Sequence, residues 1–317
     1  MRSRAERYVQ QRNALTASAF SLLFAGFVTL VSECLFELDL LTVLMIIVVT
    51  FTIILALLIF LWKKTDILRK LQYALYCAHN HRNSREYYCP CCNRRLVSFT
   101  DMKFYDDNER YDPDRFRDQR QDVMCPFCYS APRQRILASW ANDNIDLIRN
   151  SRILFFAPEY SMMKWFRRNK IRPETADLND TNADLKLDLT DISLPDGSYD
   201  MVICNHVIEH VSSYEKALSE LNRILVPNGK LIISFPIDHN LDTVFEHEAR
   251  TPEDRIRLFG QYDHLRVFGK DSNTLIGSFG FDVDVIDVKK MSGAILPVAG
   301  PADYDSNVIY YCVKISR

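Results

Sequence analysis

A net excess of positive or negative charge is missing from this chain. Its 39 Lys and Arg stand against 41 Asp and Glu, a formal net charge of −2. No nucleic-acid partner is expected, since neutralising phosphates needs a broad positive face. HExxH and comparable spacings are also missing, so the histidines and carboxylates between residues 238 and 266 are not read as a metal site. Charge and proline are absent again from LTVLMIIVVTFTIILALLIFLW, residues 41–62. At ~1.5 Å rise per residue this run is ~33 Å long, enough for a hydrocarbon core of ~30 Å. The lack of an ionisable residue in its middle argues against a transport pathway.

What is present near the start completes a hairpin. Residues 15–36 form a weaker apolar run, interrupted by Ser18, Ser21, Thr29, Ser32 and Glu33. A span from Leu15 to Val31 fits; the alternatives are an interfacial amphipathic helix or an uncleaved signal-like segment. Glu33, Glu37 and Asp39 lie between the runs, while Arg2, Arg4, Arg7 and Arg12 precede them and Lys63, Lys64, Arg69 and Lys70 follow. The positive-inside rule then places both termini in the cytoplasm. The expectation is a transmembrane hairpin over 1–64, multi-pass in the inner membrane, with the lipid bilayer as partner. A linker helix with Leu68, Leu71, Leu75 and Tyr76 on one face and a small ribbon fill 65–132, and 133–317 form the main body.

Nine cysteines suggest disulfides until their spacing is read. CPCC at 89–92 and CPFC at 125–128 each bring two thiolates toward one centre. Cys89, Cys92, Cys125 and Cys128 make the tetrahedral S4 set that structural zinc prefers, in a reducing compartment. Cys91 competes with Cys92. An iron–sulfur cluster, a redox pair or free cysteines are the other readings. Four thiolates leave no open position for metal catalysis. Arg133 and Arg135, just beyond, are read as an anion-binding pair or as solvated charges.

From Ser151 the pattern alternates. RILFFA, TADLND, LKLDLT, SYDMVICN, KLIISFP and FDVDVIDV read as strands, SYEKALSELNRILV as a helix stopped by Pro227, Asn228 and Gly229. Such alternation predicts an α/β fold with a mostly parallel, Rossmann-like sheet and helices on both faces. Ligands of such sheets sit beyond the carboxyl ends of the strands. VICNHVIEHV, 202–211, puts Asn205, His206, Glu209 and His210 there. Asp177, Asp188 and Asp200 are placed at strand boundaries in the same layer, where an acid can bind the hydroxyls of a ribose or face an adenine amine. Each also reads as a turn or cap former.

The stretch DLTDISLPDGSYDMVICNHVIEHVSSYEKALSELNRILVPNGKLIISFP, 188–236, resembles class I S-adenosylmethionine-dependent methyltransferases. CPFCYSAPRQR at 125–135, FFAPE at 155–159 and FGQYDHLRVFG at 259–269 are similar to one bacterial group of them, with a CPxC ribbon and an FAPE first strand. The resemblance implies S-adenosylmethionine as cofactor. It places Phe156, Ala157 and Glu159 at the methionine end, Asp177 on the ribose, Asp188 and Leu189 on the adenine side, and Asn205 and His206 along the cleft. Ala157, Pro158 and Glu159 stand where ordinary members have glycines. Glycine there permits close backbone approach to the cofactor, and the same APE occurs in the closer group.

Methyl transfer needs in-line alignment and sometimes a base. His210 and His264 are the candidate bases, with Asp263 and Arg266 orienting the acceptor. His206 and Glu209 are weaker candidates, and Glu209 with His210 equally reads as a loop-holding pair. The segment 236–269 is placed as a lid, with Thr251 and Pro252 starting a helix. The anchor favours O-methylation of a lipid-linked or envelope saccharide precursor. A quinone, a small metabolite as acceptor, or an inactive scaffold are the alternatives.

Overall fold

The computed structural model describes residues 42, 44–57, 71, 73–75, 87–101, 123–246, 249, 251–286, 304, 305 and 307–316. Two units divide the chain, Arg2–His81 and Arg82–Arg317. In the first, helix occupies positions 42 and 44–57 and recurs at 71 and 73–75. The expected hairpin is corrected here. Among the described residues no helix is long and apolar enough to cross a membrane. The first expected span, 15–36, and the far end of the second lie outside the described residues. With the hairpin go the bilayer partner, the multi-pass inner-membrane location and the membrane-anchored reading of function. An envelope saccharide or lipid-linked acceptor rests only on that anchor and falls with it.

The second unit begins with a ribbon. β1 (Tyr87–Cys89) and β2 (Arg94–Leu96) pair antiparallel. The acidic stretch 104–122 between the two CxxC pairs lies outside the described residues. Helix α1 (Pro132–Asp143) starts on its proline, and short α2 (Ile145–Arg149) follows.

The main sheet then builds from β3 (Ile153–Phe156), α3 (Tyr160–Arg168), β4 (Glu174–Asp177), β5 (Leu185–Lys186), β6 (Tyr199–Asn205), α4 (Tyr214–Ile224) and β7 (Leu225–Ser234). Short β8 (Ile237–Asp238) and β9 (Phe245–Glu246) lead to α5 (Pro252–Phe259), β10 (Arg266–Val267), α6 (Ser272–Ser278), β11 (Phe281–Val285), β12 (Tyr304–Asp305) and β13 (Tyr310–Lys314). Seven strands hydrogen-bond in the order β11-β13-β7-β6-β3-β4-β5. β5, β4, β3, β6 and β7 are parallel; β13 runs antiparallel to both β7 and β11.

Residue pattern explains the layers. All of β3 and Met201–Cys204 of β6 are buried, as strands covered on both faces must be. Side chains alternate along a strand. Leu154 and Phe156 accordingly join the cluster with Ala217, Leu218, Leu221 and Ile224 of α4, while Phe155 meets Phe166 of α3 at 6.1 Å between ring centres. Positions 217, 218, 221 and 224 form one helical stripe, and Ser213 caps that helix by accepting a bond from Lys216 N at 3.2 Å. The helix ends at Ile224, and Pro227–Gly229 lie within β7 rather than before it.

Gly269 closes the 236–269 segment with no room to spare. A β-carbon there would sit 2.6 Å from both the amide nitrogen and carbonyl oxygen of Thr243. Backbone cannot retreat as a side chain can. Gly269→Ala is expected to cost about 1–3 kcal/mol by overpacking, read as a lowered midpoint in urea unfolding; an unchanged midpoint would refute the contact.

Candidate active site

The strand order reverses between β3 and β6, and the ground beyond the carboxyl ends of the parallel strands at such a switch point is where sheets of this kind take ligands. On the β3 side the chain leaves Phe156, buried at the strand end, into Ala157. This alanine takes φ 45°, the left-handed region, and its amide donates to Ala176 O at 2.8 Å. The turn thus reaches glycine-type geometry with a methyl group in place, at a cost of about 1–2 kcal/mol. Glu159 then starts α3 with no side-chain capping bond. Its Oε1 accepts from Arg133 Nε at 3.2 Å and from Gln134 Nε2. Its Oε2 is buried with no hydrogen-bond partner.

Asp177 ends β4. Its Oδ1 accepts from the amides of Asn179, at 2.7 Å, and Asp180, at 2.8 Å. Asp188 Oδ1 accepts from Thr190 N and Oγ1, each at 2.8 Å, and Leu189 is buried beside it. Asp200 is elsewhere: it sits at the start of β6, accepting from Arg152 N at 2.8 Å, at the opposite edge from these carboxyl ends.

On the β6 side, buried Asn205 accepts from Ser234 Oγ at 3.0 Å, tying β6 to β7. His206 turns the chain out with φ 53°, another strained position of the kind that collects at functional sites. The loop it opens holds Glu209 fully buried. His206 Nδ1 lies 3.3 Å and His210 Nε2 3.9 Å from Glu209 Oε1. Burial pushes the Glu209 carboxyl up, but His206 and then His210 and His264 outweigh it and hold it down at about 2.

Segment 236–269 supplies the remaining groups. His210 Nδ1 is 3.1 Å from Asp263 O. A carbonyl only accepts, so this nitrogen carries the proton and Nε2 offers a lone pair. His264 packs edge-on against His210, with ring centres 4.8 Å apart, and its Nδ1 is 3.2 Å from Phe259 O. Burial holds His264 down to about 4, with the charge of His210 adding to it. Asp263 Oδ1 accepts from Gln261 Nε2 at 2.7 Å. Arg266 does not face open space. It is buried and donates from Nη1 to Ile208 O at 2.8 Å and Val211 O at 2.6 Å, from Nη2 to Ser212 O at 3.4 Å, and from Nε to Glu246. It therefore pins the loop that carries Glu209 and His210.

In the ribbon, Cys89, Cys92, Cys125 and Cys128 offer sulfurs within 4.8 Å of one another, a set able to hold a metal ion. Cys89 Sγ lies 3.5 Å from Cys128 Sγ, and Cys92 Sγ 3.8 Å from Cys125 Sγ. Tetrahedral sulfurs around an ion at ~2.3 Å bonds lie ~3.8 Å apart. Cys91 is not part of that set and donates to Gln134 O at 3.3 Å. Hydrogen bonding from Cys125 holds Cys89 and Cys128 below the ordinary thiol range, while burial pushes Cys91 well above it. Arg135, read from sequence as anion-binding or solvated, is instead fully buried. It donates to Val123 O at 2.7 Å and Ser130 O at 2.6 Å and stacks on Phe99. The partners of Arg266 and Glu159, and Val123 and Phe99 beside Arg135, are distant in sequence, so no local pattern could reveal them.

Residues 149–233 match the family model described as a methyltransferase domain. The fold is that of a class I S-adenosylmethionine-dependent methyltransferase. Solved structures similar to it include the Burkholderia thailandensis 1,6-didemethyltoxoflavin-N1-methyltransferase with bound 1,6-didemethyltoxoflavin and S-adenosylhomocysteine. That likeness has 14% identity over 57% of this chain and 78% of the other, at TM-score 0.38. A Thermotoga maritima S-adenosylmethionine-dependent methyltransferase, described as a possible histamine N-methyltransferase, is 20% identical over 56% and 89%, at TM-score 0.36. One from Archaeoglobus fulgidus is 14% identical over 56% and 91%, at TM-score 0.38. Likenesses at these scores settle nothing about this chain's chemistry. No curated protein sequence matches it. The family match is consistent with a methyltransferase enzyme.

Proposed function

We propose that this protein transfers a methyl group from S-adenosylmethionine to a small organic molecule. One observation carries the reading: the segment that matches the methyltransferase domain, 149–233, sets Glu159, Asp177 and His206 at the carboxyl ends of β3, β4 and β6 around the switch point. The residues present fit the cofactor. The unpartnered, buried Glu159 Oε2 suits its ammonium group. With Asp177 Oδ1 committed to the turn amides, Oδ2 is the oxygen for the ribose hydroxyls. Phe156 and Ala157 would line the methionine end, Asp188 and Leu189 the adenine side, and Asn205 and His206 the wall between cofactor and acceptor.

When bound, the cofactor supplies an electrophilic methyl group; this chain's part is to align the acceptor and take its proton. His210 is the proposed base, because its Nδ1 proton is committed to Asp263 O and its Nε2 is the accepting atom. His264 and Asp263 would hold that ring, and Arg266 would hold its loop. The four ribbon cysteines would bind a structural zinc, within a ribbon segment 65–132 ahead of a methyltransferase domain 133–317. Kinship with the bacterial group bearing the CPxC ribbon and FAPE strand belongs to the same proposal.

Calorimetric titration of the full chain with S-adenosylmethionine tests the reading, and heat of binding is expected. Folded protein that gives none at millimolar cofactor would overturn it. Asp177→Ala should weaken binding by about 1–3 kcal/mol through lost charge-assisted bonds; equal affinity would reject its ribose role. Once an acceptor is found, His210→Ala should lower turnover by about 100- to 10,000-fold with cofactor affinity unchanged. Full turnover in that variant would remove His210 as base. Binding without turnover on any acceptor tried would favour the inactive scaffold.

A further inference from the structure

We infer that Glu209, His210 and His264 form a second metal site, distinct from the cysteine ribbon and suited to a divalent transition ion such as zinc. Each residue brings one ligand atom, and all three atoms lie within 4.8 Å of one another. Tetrahedral ligands on one zinc at ~2.0–2.1 Å bonds lie ~3.4 Å apart. The widest pair therefore needs to close by roughly 1.4 Å, through side-chain rotation and a small shift of the loop.

Hydrogen bonding makes the case stronger than proximity does. His210 Nδ1 faces Asp263 O at 3.1 Å and His264 Nδ1 faces Phe259 O at 3.2 Å. Both contacts are to backbone carbonyls, so both Nδ1 atoms carry protons and both Nε2 atoms are left as lone pairs. This is the outer arrangement that metal-binding histidines use, with the second nitrogen donating to a carbonyl. The third ligand is Glu209, fully buried, and neither of its oxygens has a hydrogen-bond partner. His206 Nδ1 approaches one of them at 3.3 Å. His210 Nε2, a lone pair in this tautomer, lies 3.9 Å from the same oxygen, and the His264 ring stands beside it. A buried carboxylate short of donors is expensive, and one cation would satisfy all three groups at once.

The set of two imidazoles and one carboxylate is borderline-soft, which favours zinc over magnesium or calcium. It also leaves a fourth position open, unlike the four-thiolate ribbon. His210 is the most exposed of the three, its side chain 30% accessible, so the ion would arrive from its side. The consecutive residues Glu209 and His210 on one loop, with His264 far along the chain, explain why no motif spacing announces the site.

This inference does not depend on methyl transfer, and metal counting separates the two. Full-length protein would be titrated with zinc, and in parallel with cobalt(II), whose thiolate charge-transfer bands report the ribbon alone. The expected result is a second equivalent beyond the ribbon ion, adding no thiolate band. That equivalent should vanish in Glu209→Gln and in His210→Gln, while the ribbon bands persist. Glu209→Gln sits in the core and could unfold the loop; His210→Gln, at the accessible edge, keeps the test decisive, with a retained circular dichroism melt as control. Saturation at the ribbon equivalent in wild type overturns the inference. So does a second equivalent that survives His210→Gln. Cofactor binding is measured separately and is expected in either case. An ion on His210 Nε2 would occupy the lone pair assigned to the base, so zinc should then inhibit turnover.

Discussion

Replacing Arg266 with alanine is expected to destabilise the protein by about 3–5 kcal/mol, the range for breaking a buried charged network by removing one partner. The guanidinium is 3% accessible and serves three backbone carbonyls, of Ile208, Val211 and Ser212, besides Glu246. Alanine strands the buried carbonyl of Ile208 and leaves the half-buried carbonyl of Val211 short of its donor, at about 1–3 kcal/mol for a group left wholly unsatisfied. Glu246 is 47% accessible and rehydrates, so its share is small. Lysine should not rescue, because one ammonium cannot span carbonyls that a planar fork reaches together. Urea unfolding of wild type, Arg266→Ala and Arg266→Lys measures this. A midpoint unmoved by alanine would show that the loop holds itself. Cofactor affinity should fall with the loop, since His206 and Glu209 lie on it.

Stripping metal from the ribbon should have the other large effect. Structural zinc contributes about 10–16 kcal/mol of apparent binding energy in small zinc-dependent domains. Here β1 and β2 are three residues each, too short to stand as a hairpin. After chelation, amide exchange should rise across 87–100 and 123–130 and stay slow in β3 and β6, which keep their own core. The disturbance should also travel. Cys91 bonds to Gln134 O, Arg168 donates to Cys91 O at 3.1 Å, and Gln134 and Arg133 both hold Glu159. Chelated protein is therefore expected to bind S-adenosylmethionine more weakly. Uniform exchange across ribbon and sheet, or no change in either, would refute a local structural metal.

What could be read in advance was whatever adjacent residues decide. β3, α4 with its Ser213 cap, and α5 with Thr251, whose Oγ1 accepts from Asp254 N at 3.1 Å, follow from periodicity and capping. The cysteine set emerged from spacing, and its choice of Cys92 over Cys91 agrees with where the sulfurs gather. Three readings needed tertiary information. Asp200 looked like an acid of the site, but its strand starts at Tyr199, which puts it at the far end. Arg135 and Arg266 looked like surface or ligand charges; burial and remote carbonyls make them internal pins. The strand Tyr310–Lys314 was not anticipated, because its place between β7 and β11 depends on topology.

That interior place of β13 bears on the order in which the sheet is assembled during synthesis. Chains emerge and fold from the N-terminus onward, and β5, β4, β3, β6 and β7 all precede position 235, so their mutual partners are complete by then. β11 is made next but has no neighbour to join, since its one partner in the sheet is β13. It must wait, edge exposed, until residues 310–314 arrive to bridge it to β7. The antiparallel half is thus a late addition, and a ribosome-stalled chain ending before Tyr310 would present β7 as an open edge for a chaperone or for aggregation.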